Sequence, residues 1–379
     1  MRTRLLATRR AMLALRGGGG ADAMIKDWFP QLVYGVALAL MIGWVLLIGR
    51  PVILPVVAGL IVAYVILGLA ELFGRLPGLR ERLPASLRYA LAVLVIGGTL
   101  AAIVWLVITN VTHIATTLPR YQEQFLAIIQ ALAERFGFEA EPDWQAIRSD
   151  ILSRIDIRRA IGVTVATASS ITATFIVVVI YAGFILSEKD SFGHKIALLS
   201  HEPARVAQIQ QVISDINSSI GAYLVMKTLI NIALGVGSYA IMWWFGIPFA
   251  GFWAILIGLF NYIPYIGGFI GVGLPTFLAV AELGGFWPLA SFLMAMIAIQ
   301  VLLGNFIEPY VMGSSMNLSP LVILISLVAW AALWGIAGAI LSVPITAMMV
   351  IIFAEFPGTR PLAILMSKDG QLAKAGAPR

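Results

Sequence analysis

The fold is decided by the stretch FAGFWAILIGLFNYIPYIGGFIGVGLPTFLAV, which occupies residues 249–280. As one straight helix this apolar run would be about 50 Å long, although the hydrocarbon core of a bilayer is only about 30 Å thick. Its interruption, NYIPYIGG at 261–268, places a proline, a glycine pair and polar side chains inside the run. The sequence therefore predicts a membrane segment that is broken at membrane depth.

A second apolar run of similar length covers residues 320–353 and is interrupted by WGIAG at 334–338, with Pro344 beyond. Irregular backbone survives at membrane depth only beside protein or water, so paired broken segments point to a transporter binding site. Two helical hairpins and two discontinuous helices, separated by residues 287–303, both fit this pattern.

The composition extends the membrane interpretation to the whole chain. Hydrophobic residues make up 60% of the 379 residues and charged residues only 12%, against about 25% charged in soluble domains. The pattern predicts an all-α polytopic membrane protein of about eight transmembrane segments, two of them broken, with the lipid bilayer as its partner. Five unbroken spans are predicted at 32–49, 52–73, 87–109, 161–187 and 220–245.

Basic residues indicate the orientation. They are concentrated before the first span, in the loop after the second span and behind residue 359, and an excess of Lys and Arg marks cytoplasmic segments. Both termini are therefore predicted to be cytoplasmic in a bacterial inner membrane. The net charge of +6 reflects this bias, so no nucleic acid partner is expected.

The remaining segments complete the predicted organisation. An outside insert is expected to hold two amphipathic helices, and a helix beginning at Pro203 is expected to lie along the interface before it turns into the fifth span. The tail after Phe356 is expected to be poorly ordered. The boundaries are 1–29 for a basic extension, 30–109 for three spans, 110–159 for the insert, 160–187 for the fourth span, 188–219 for the cytoplasmic amphipathic segment, 220–356 for the transport core and 357–379 for the tail.

The first break offers candidate pathway residues. An opened helix exposes backbone carbonyl and N–H groups, which together with polar side chains could coordinate a cation or a polyol. A structural kink is the alternative interpretation. The candidates are Asn261, Tyr262, Pro264, Tyr265, Gly267 and Gly268.

The second candidate group surrounds Glu308, within NFIEP at 305–309 and before MGSSMNLSP at 312–320. Between Lys227 and Arg360 the sequence has no Lys, Arg or His, so Glu308 has no cationic neighbour along the chain. An ionisable group at membrane depth is a functional-site hypothesis, because proton binding would compete with cation binding. In an aqueous loop it would be an ordinary surface acid. Lys227 is a possible coupling partner for such a carboxylate.

Direct enzymatic activity finds no support in the sequence. The chain has no cysteine, and its three histidines, His113, His194 and His201, are predicted outside the membrane and do not recur at metal-ligand spacing. It also has no Walker loop and no dinucleotide fingerprint. No cofactor, metal site or catalytic residue is expected. Without ATP hydrolysis, transport would use an ion gradient or would be passive.

The two broken segments carry a family resemblance. FNYIPYIGGFIG at 260–271 and NFIEPYVMGSSMNLSPLVILISLVAWAALWGIAGAILSVPITA at 305–347 resemble the autoinducer-2 exporter family of bacterial membrane proteins. The resemblance implies an eight-helix permease, homo-oligomers, and members that export autoinducer-2 or exchange sodium or lithium for protons. Carried over by position, it points to Asn261, Pro264, Gly267, Asn305, Glu308, Pro309, Gly313 and Pro344.

Three functions remain open at this stage. An exporter of a small polar solute needs Asn261, Tyr262, Tyr265 and Asn305 to converge on one cavity. A monovalent cation/proton antiporter needs Glu308 at membrane depth with oxygen ligands nearby. A membrane scaffold needs neither, and its breaks would serve packing alone.

Overall fold

The computed structural model describes residues 19–75, 83–135, 157–199, 202–312 and 317–370. In these ranges every regular element is a helix, which confirms the predicted all-α fold. One isolated antiparallel bridge joins Leu318 and Ser367. The chain divides into two compact units, residues 1–54 and residues 55–379.

The first unit contains α1 (Gly19–Ile48). The predicted first span coincides with the apolar helix Val33–Ile48, whose valine, leucine and isoleucine side chains are largely exposed. The backbone N–H of Gly49 donates to the carbonyl of Val45 at 2.7 Å, and α2 begins at the next residue.

Four long helices follow: α2 (Arg50–Arg75), α3 (Ala85–Arg135), α4 (Ile157–Leu199) and α5 (Pro203–Trp244). Each contains a stretch that is long and apolar enough to cross a membrane, and these stretches coincide with predicted spans two to five. The chain is therefore a multi-pass membrane protein.

Two of these helices differ from the prediction. The first amphipathic helix of the outside insert is the C-terminal part of α3, which continues past residue 110 without a break; the second lies outside the described residues. The predicted turn before the fifth span is wrong, because α5 is one helix from Pro203 to Trp244. After Pro203, which is tolerated in a first turn, residues 204–220 contain no proline or glycine to interrupt it.

The first broken run forms a helical hairpin. Its arms are α6 (Ala250–Phe260) and α7 (Ile266–Glu282), about 16 Å and 25 Å long at 1.5 Å per residue. A Cβ atom on Gly271 would lie 3.3 Å from the side chain of Ile257. These residues can meet across the break only if the chain reverses there.

The segment between the hairpins begins with α8 (Phe286–Val301). It continues as a π-helix (Leu302–Ile307) and then as the short α9 (Glu308–Met312). A π-helical turn is wider than an α-helical one and often occurs at functional sites. Glu308 therefore lies where this irregular segment ends.

The second broken run, α10 (Pro320–Glu355), also reverses. Gly335 has φ 66° and ψ −143°, and these backbone angles are not helical. Trp330, before this residue, donates through its Nε1 to Oγ1 of Thr346, after it, at 3.2 Å. A straight helix would place these two residues about 24 Å apart. Both predicted breaks are thus confirmed, and both are hairpins in the structure.

Two of the apolar cores in the described part of the second unit each join three or more helices. One joins α2, α3 and α4 through small residues such as Ala63, Ala92 and Ala182. The other joins α5, α6, α7 and α8, and the backbones of α5 and α6 approach each other closely. A Cβ atom on Gly235 would lie 3.1 Å from the carbonyl oxygen of Ala254, which is the small-residue packing typical of membrane helices.

The C-terminal segment is more ordered than predicted. After α10 the chain forms α11 (Arg360–Met366), and Ser367 then pairs with Leu318. Ser319 N donates to Met366 O at 3.0 Å, and Lys368 N donates to Asn317 O at 3.2 Å. The expectation of a poorly ordered tail is therefore wrong for residues 360–370, because the apolar residues 362–366 lie in α11, which packs against α10.

Candidate functional site

A cavity of about 960 Å³ lies in the second unit, between the first hairpin, the segment from α8 to α9 and the start of α10. The structure brings together residues from both sequence motifs, which are more than 30 positions apart. The predicted residues in its wall are Lys227, Asn261, Pro264, Tyr265, Gly268, Asn305, Glu308 and Pro309.

The cavity wall contains an ion pair. Lys227 Nζ donates to Glu308 Oε1 at 2.6 Å, with the two side chains 7% and 22% exposed. The sequence offered Lys227 as a possible partner for a membrane carboxylate, and in the structure its ammonium contacts Glu308. Because the charges cancel locally, this part of the wall has no net charge.

A chain of side-chain amides crosses from the hairpin to both neighbouring helices. Asn261 Nδ2 donates to Asn231 Oδ1 of α5 at 2.8 Å, and Gln300 Nε2 of α8 donates to Asn261 Oδ1 at 3.3 Å. Asn231 and Asn261 are buried, and Asn261 and Gln300 both line the cavity. The chain therefore fixes the first reversal between α5 and α8.

Other predicted residues have a different place. Tyr262 OH is 2.7 Å from Thr228 Oγ1 of α5 and does not line the cavity. A Cβ atom on Gly267 would overlap the carbonyl oxygen of Phe260, so this glycine closes the tight turn. Pro344 is buried inside the second arm of α10, and Gly313 lies outside the described residues.

The cavity also contains residues that the sequence did not single out. Gln300 gave a usable signal, because it is the one carboxamide in the apolar helix α8. Lys368 and Asp369 gave no such signal, because hydropathy does not reveal that a polar C-terminal tail returns to the cavity. The missed polar residues in the wall are Tyr223, Gln300, Asn317, Lys368 and Asp369.

Metal binding finds no support in the described ranges, where no group of three or more His, Asp or Glu residues could hold an ion. The polar groups of the wall are amides, hydroxyls, the Lys227–Glu308 ion pair and the charged side chains of Lys368 and Asp369, beside apolar residues such as Val272 and Ile297. Such a mixture suits a small solute that is held by hydrogen bonds.

Helical hairpins around a polar cavity in a multi-pass protein define a membrane transporter. Residues 35–358 match the model of the AI-2E family transporter, so the chain belongs to this family. The relatives are named for transport, so the comparisons give no support to an enzymatic activity.

Three relatives show the extent of the similarity. The AI-2 transport protein TqsA of Escherichia coli K12 is 26% identical over 343 residues, covering 88% of this chain and 96% of the relative. A Haemophilus influenzae protein named only for an expected role in transport is 28% identical over 291 residues, covering 76% and 83%. Escherichia coli YhhT, named in the same way, is 25% identical over 290 residues, covering 75% and 79%.

Proposed function

We propose that this transporter exports a small, uncharged, oxygen-rich solute such as autoinducer-2 across the bacterial inner membrane. Export would use a proton or sodium gradient, and both termini would be cytoplasmic. The observation that carries the proposal is the ion pair between Lys227 and Glu308 in the wall of a polar cavity. The printed name of TqsA, AI-2 transport protein, supports the choice of solute.

The dimensions of the cavity support an organic solute. A volume of about 960 Å³ is at the upper end of the range for small-molecule sites and far exceeds the space that a bare monovalent cation needs. The amide and hydroxyl groups in its wall suit a ligand that has several oxygen atoms.

The closed ion pair supports an uncharged solute. The ammonium of Lys227 already occupies Glu308 Oε1 at 2.6 Å, where a sodium ion would have to bind. A charged ligand at this part of the wall would have to compete with one member of the pair, and leaving the other member of a buried pair without its partner costs about 3–5 kcal/mol. A neutral solute can bind beside the pair without that cost.

The same pair could couple transport to protons. Protonation of Glu308 would remove the negative charge that holds Lys227, so the pair would open and close with the proton load. A sodium or lithium/proton antiporter is the alternative function, favoured only by the carboxylate of Glu308 in the cavity wall.

Flux measurements in proteoliposomes test the proposal. Purified protein is reconstituted, and a proton or sodium gradient is imposed with autoinducer-2 on one side. We expect the wild type to accumulate autoinducer-2 and Glu308→Gln to lose at least about tenfold in gradient-driven accumulation. Glu282→Gln is the matched control, because Glu282 ends α7 outside the cavity wall, and it should retain the flux.

A double variant separates coupling from folding. Glu308→Gln alone leaves the buried ammonium of Lys227 unpaired, whereas Lys227→Met with Glu308→Gln removes both charges. We expect the double variant to recover thermal stability but not gradient dependence. Sodium/proton exchange that Glu308→Gln abolishes, without any autoinducer-2 flux, would establish the antiporter instead.

A further inference from the structure

Gln300 is one of several polar side chains in the cavity wall that have no assigned role. Gln300 lies in the last turn of α8, directly before the π-helical segment. Its side chain lines the cavity, and its Nε2 donates to Asn261 Oδ1 at 3.3 Å. Gln300 is thus the least buried member of the amide chain, and it lines the open space beside the buried Asn261.

Asn261, the predicted polar residue of the break, has little capacity left for a solute. Its Nδ2 donates to Asn231 and its Oδ1 accepts from Gln300, and the residue is only 7% exposed. A carboxamide has two N–H donors and one acceptor oxygen, so both kinds of group on Asn261 already serve the protein.

Gln300 has the opposite balance. Among the described residues its side chain makes only the bond to Asn261, which leaves one N–H of Nε2 and the Oε1 atom. Two glycines make room for this amide. A Cβ atom on Gly268 would lie 3.0 Å from Nε2, and one on Gly304 would lie 3.6 Å from it.

We propose that Gln300 is the residue that recognises the solute, and that Asn261 is a positioning residue that orients it. The inference rests on the proposed function and narrows its substrate class. The free N–H and the free oxygen of one carboxamide pair best with an adjacent acceptor and donor. The matching solute has a hydroxyl group beside a carbonyl, or two neighbouring hydroxyl groups.

The test is the concentration dependence of autoinducer-2 flux in proteoliposomes. Gln300→Leu removes both polar groups at similar size, and we expect the half-saturating concentration to rise about tenfold with little change in maximal flux, as the loss of about 1.4 kcal/mol in hydrogen bonding implies. Gln300→Glu keeps an acceptor but loses the donor, and it should show an intermediate rise.

A glycine pair supplies a second, independent variant. Gly268→Ala would push the Gln300 amide out of place, whereas a Cβ atom on Gly273 has nothing within 4 Å. Both positions lie in the same cavity wall, so Gly273→Ala controls for a methyl group that merely crowds the solute. We expect the half-saturating concentration to rise more in Gly268→Ala than in Gly273→Ala.

The outcomes separate the two proposals. A wild type that moves no autoinducer-2 overturns the proposed function and this inference together. Wild-type flux with an unchanged half-saturating concentration in Gln300→Leu overturns the inference alone. A lower maximal flux at unchanged half-saturation would indicate a purely structural role and also overturns it. If Gln300→Leu does not fold, Gln300→Glu and the glycine pair decide.

Discussion

The first hairpin reverses over residues 261–265, whereas the second reverses at the single residue Gly335. Polar side chains close the first reversal: Asn261 and Tyr262 bond to α5, and Gln300 of α8 bonds to Asn261. On the arm that leads into the second, Trp330 and Trp334 pack with ring centroids 5.2 Å apart, and Trp330 Nε1 donates across the reversal to Thr346 Oγ1.

The two reversals also differ in their relation to the cavity. Asn261, Pro264 and Tyr265 of the first line it, while none of residues 334–338 is among the described wall residues. A broken membrane helix in a sequence therefore has two possible meanings. In this chain the break with polar side chains lines the cavity, and the break with glycine and tryptophan forms a turn outside the described cavity wall.

The largest expected effect tests what the two reversals share, which is a glycine packed against the backbone of the opposite arm. A Cβ atom on Gly338 would overlap the carbonyl oxygen of Trp330, as one on Gly267 would overlap that of Phe260. Because a backbone atom cannot move aside cheaply, we expect Gly338→Ala and Gly267→Ala each to cost about 3 kcal/mol or more.

Thermal unfolding of purified protein in detergent measures these costs. The matched control is Gly273→Ala, for which a Cβ atom meets nothing within 4 Å, and it should unfold close to the wild-type temperature. A Gly338→Ala variant as stable as this control would mean that the second reversal is not as tight as the structure shows.

The next effect should separate the two reversals. Asn261→Leu keeps the size of the side chain but breaks two hydrogen bonds and leaves the amides of Asn231 and Gln300 without their partner. Since side-chain hydrogen bonds in membrane proteins average about 0.6 kcal/mol, we expect a stability loss of roughly 1–2 kcal/mol. We also expect a marked loss of autoinducer-2 flux.

Stability and flux of Asn261→Leu are compared at equal amounts of folded protein. Asn110→Leu is the control, because among the described residues Asn110 Nδ2 bonds to a backbone carbonyl of its own helix α3, and Asn110 is not in the described cavity wall. Equal flux in the Asn261→Leu variant and the wild type would contradict the assignment of the first reversal to the site.

The sequence predicted the parts of this comparison that depend on local chemistry. Hydropathy located the spans, and proline and glycine located both breaks. Lys227 was a possible partner for a membrane carboxylate, and Glu308 was a candidate because an ionisable group at membrane depth is a functional-site hypothesis. All of these signals can be read along a single segment of the chain.

The parts that depend on which helices meet could not be predicted. Gln300 is visible in α8, but its contact with Asn261 follows from packing between distant segments. Lys368 and Asp369 reach the cavity only because the segment after α11 pairs with Leu318. Pro344 was predicted to be a site residue, but it is buried inside the second arm of α10 and is not among the described wall residues. A membrane helix can accommodate such a proline when neighbouring helices surround it.

The smallest expected effect concerns the second reversal alone. Trp330 Nε1 donates to Thr346 Oγ1 at 3.2 Å, and neither residue is in the cavity wall. A double-mutant cycle with Trp330→Phe and Thr346→Val should give a coupling energy of about 0.6 kcal/mol in unfolding. Autoinducer-2 flux per folded molecule should stay at the wild-type value in all three variants. A lower flux per folded molecule in Trp330→Phe than in the wild type would show that the second reversal also serves transport. It would remove the distinction between the two breaks.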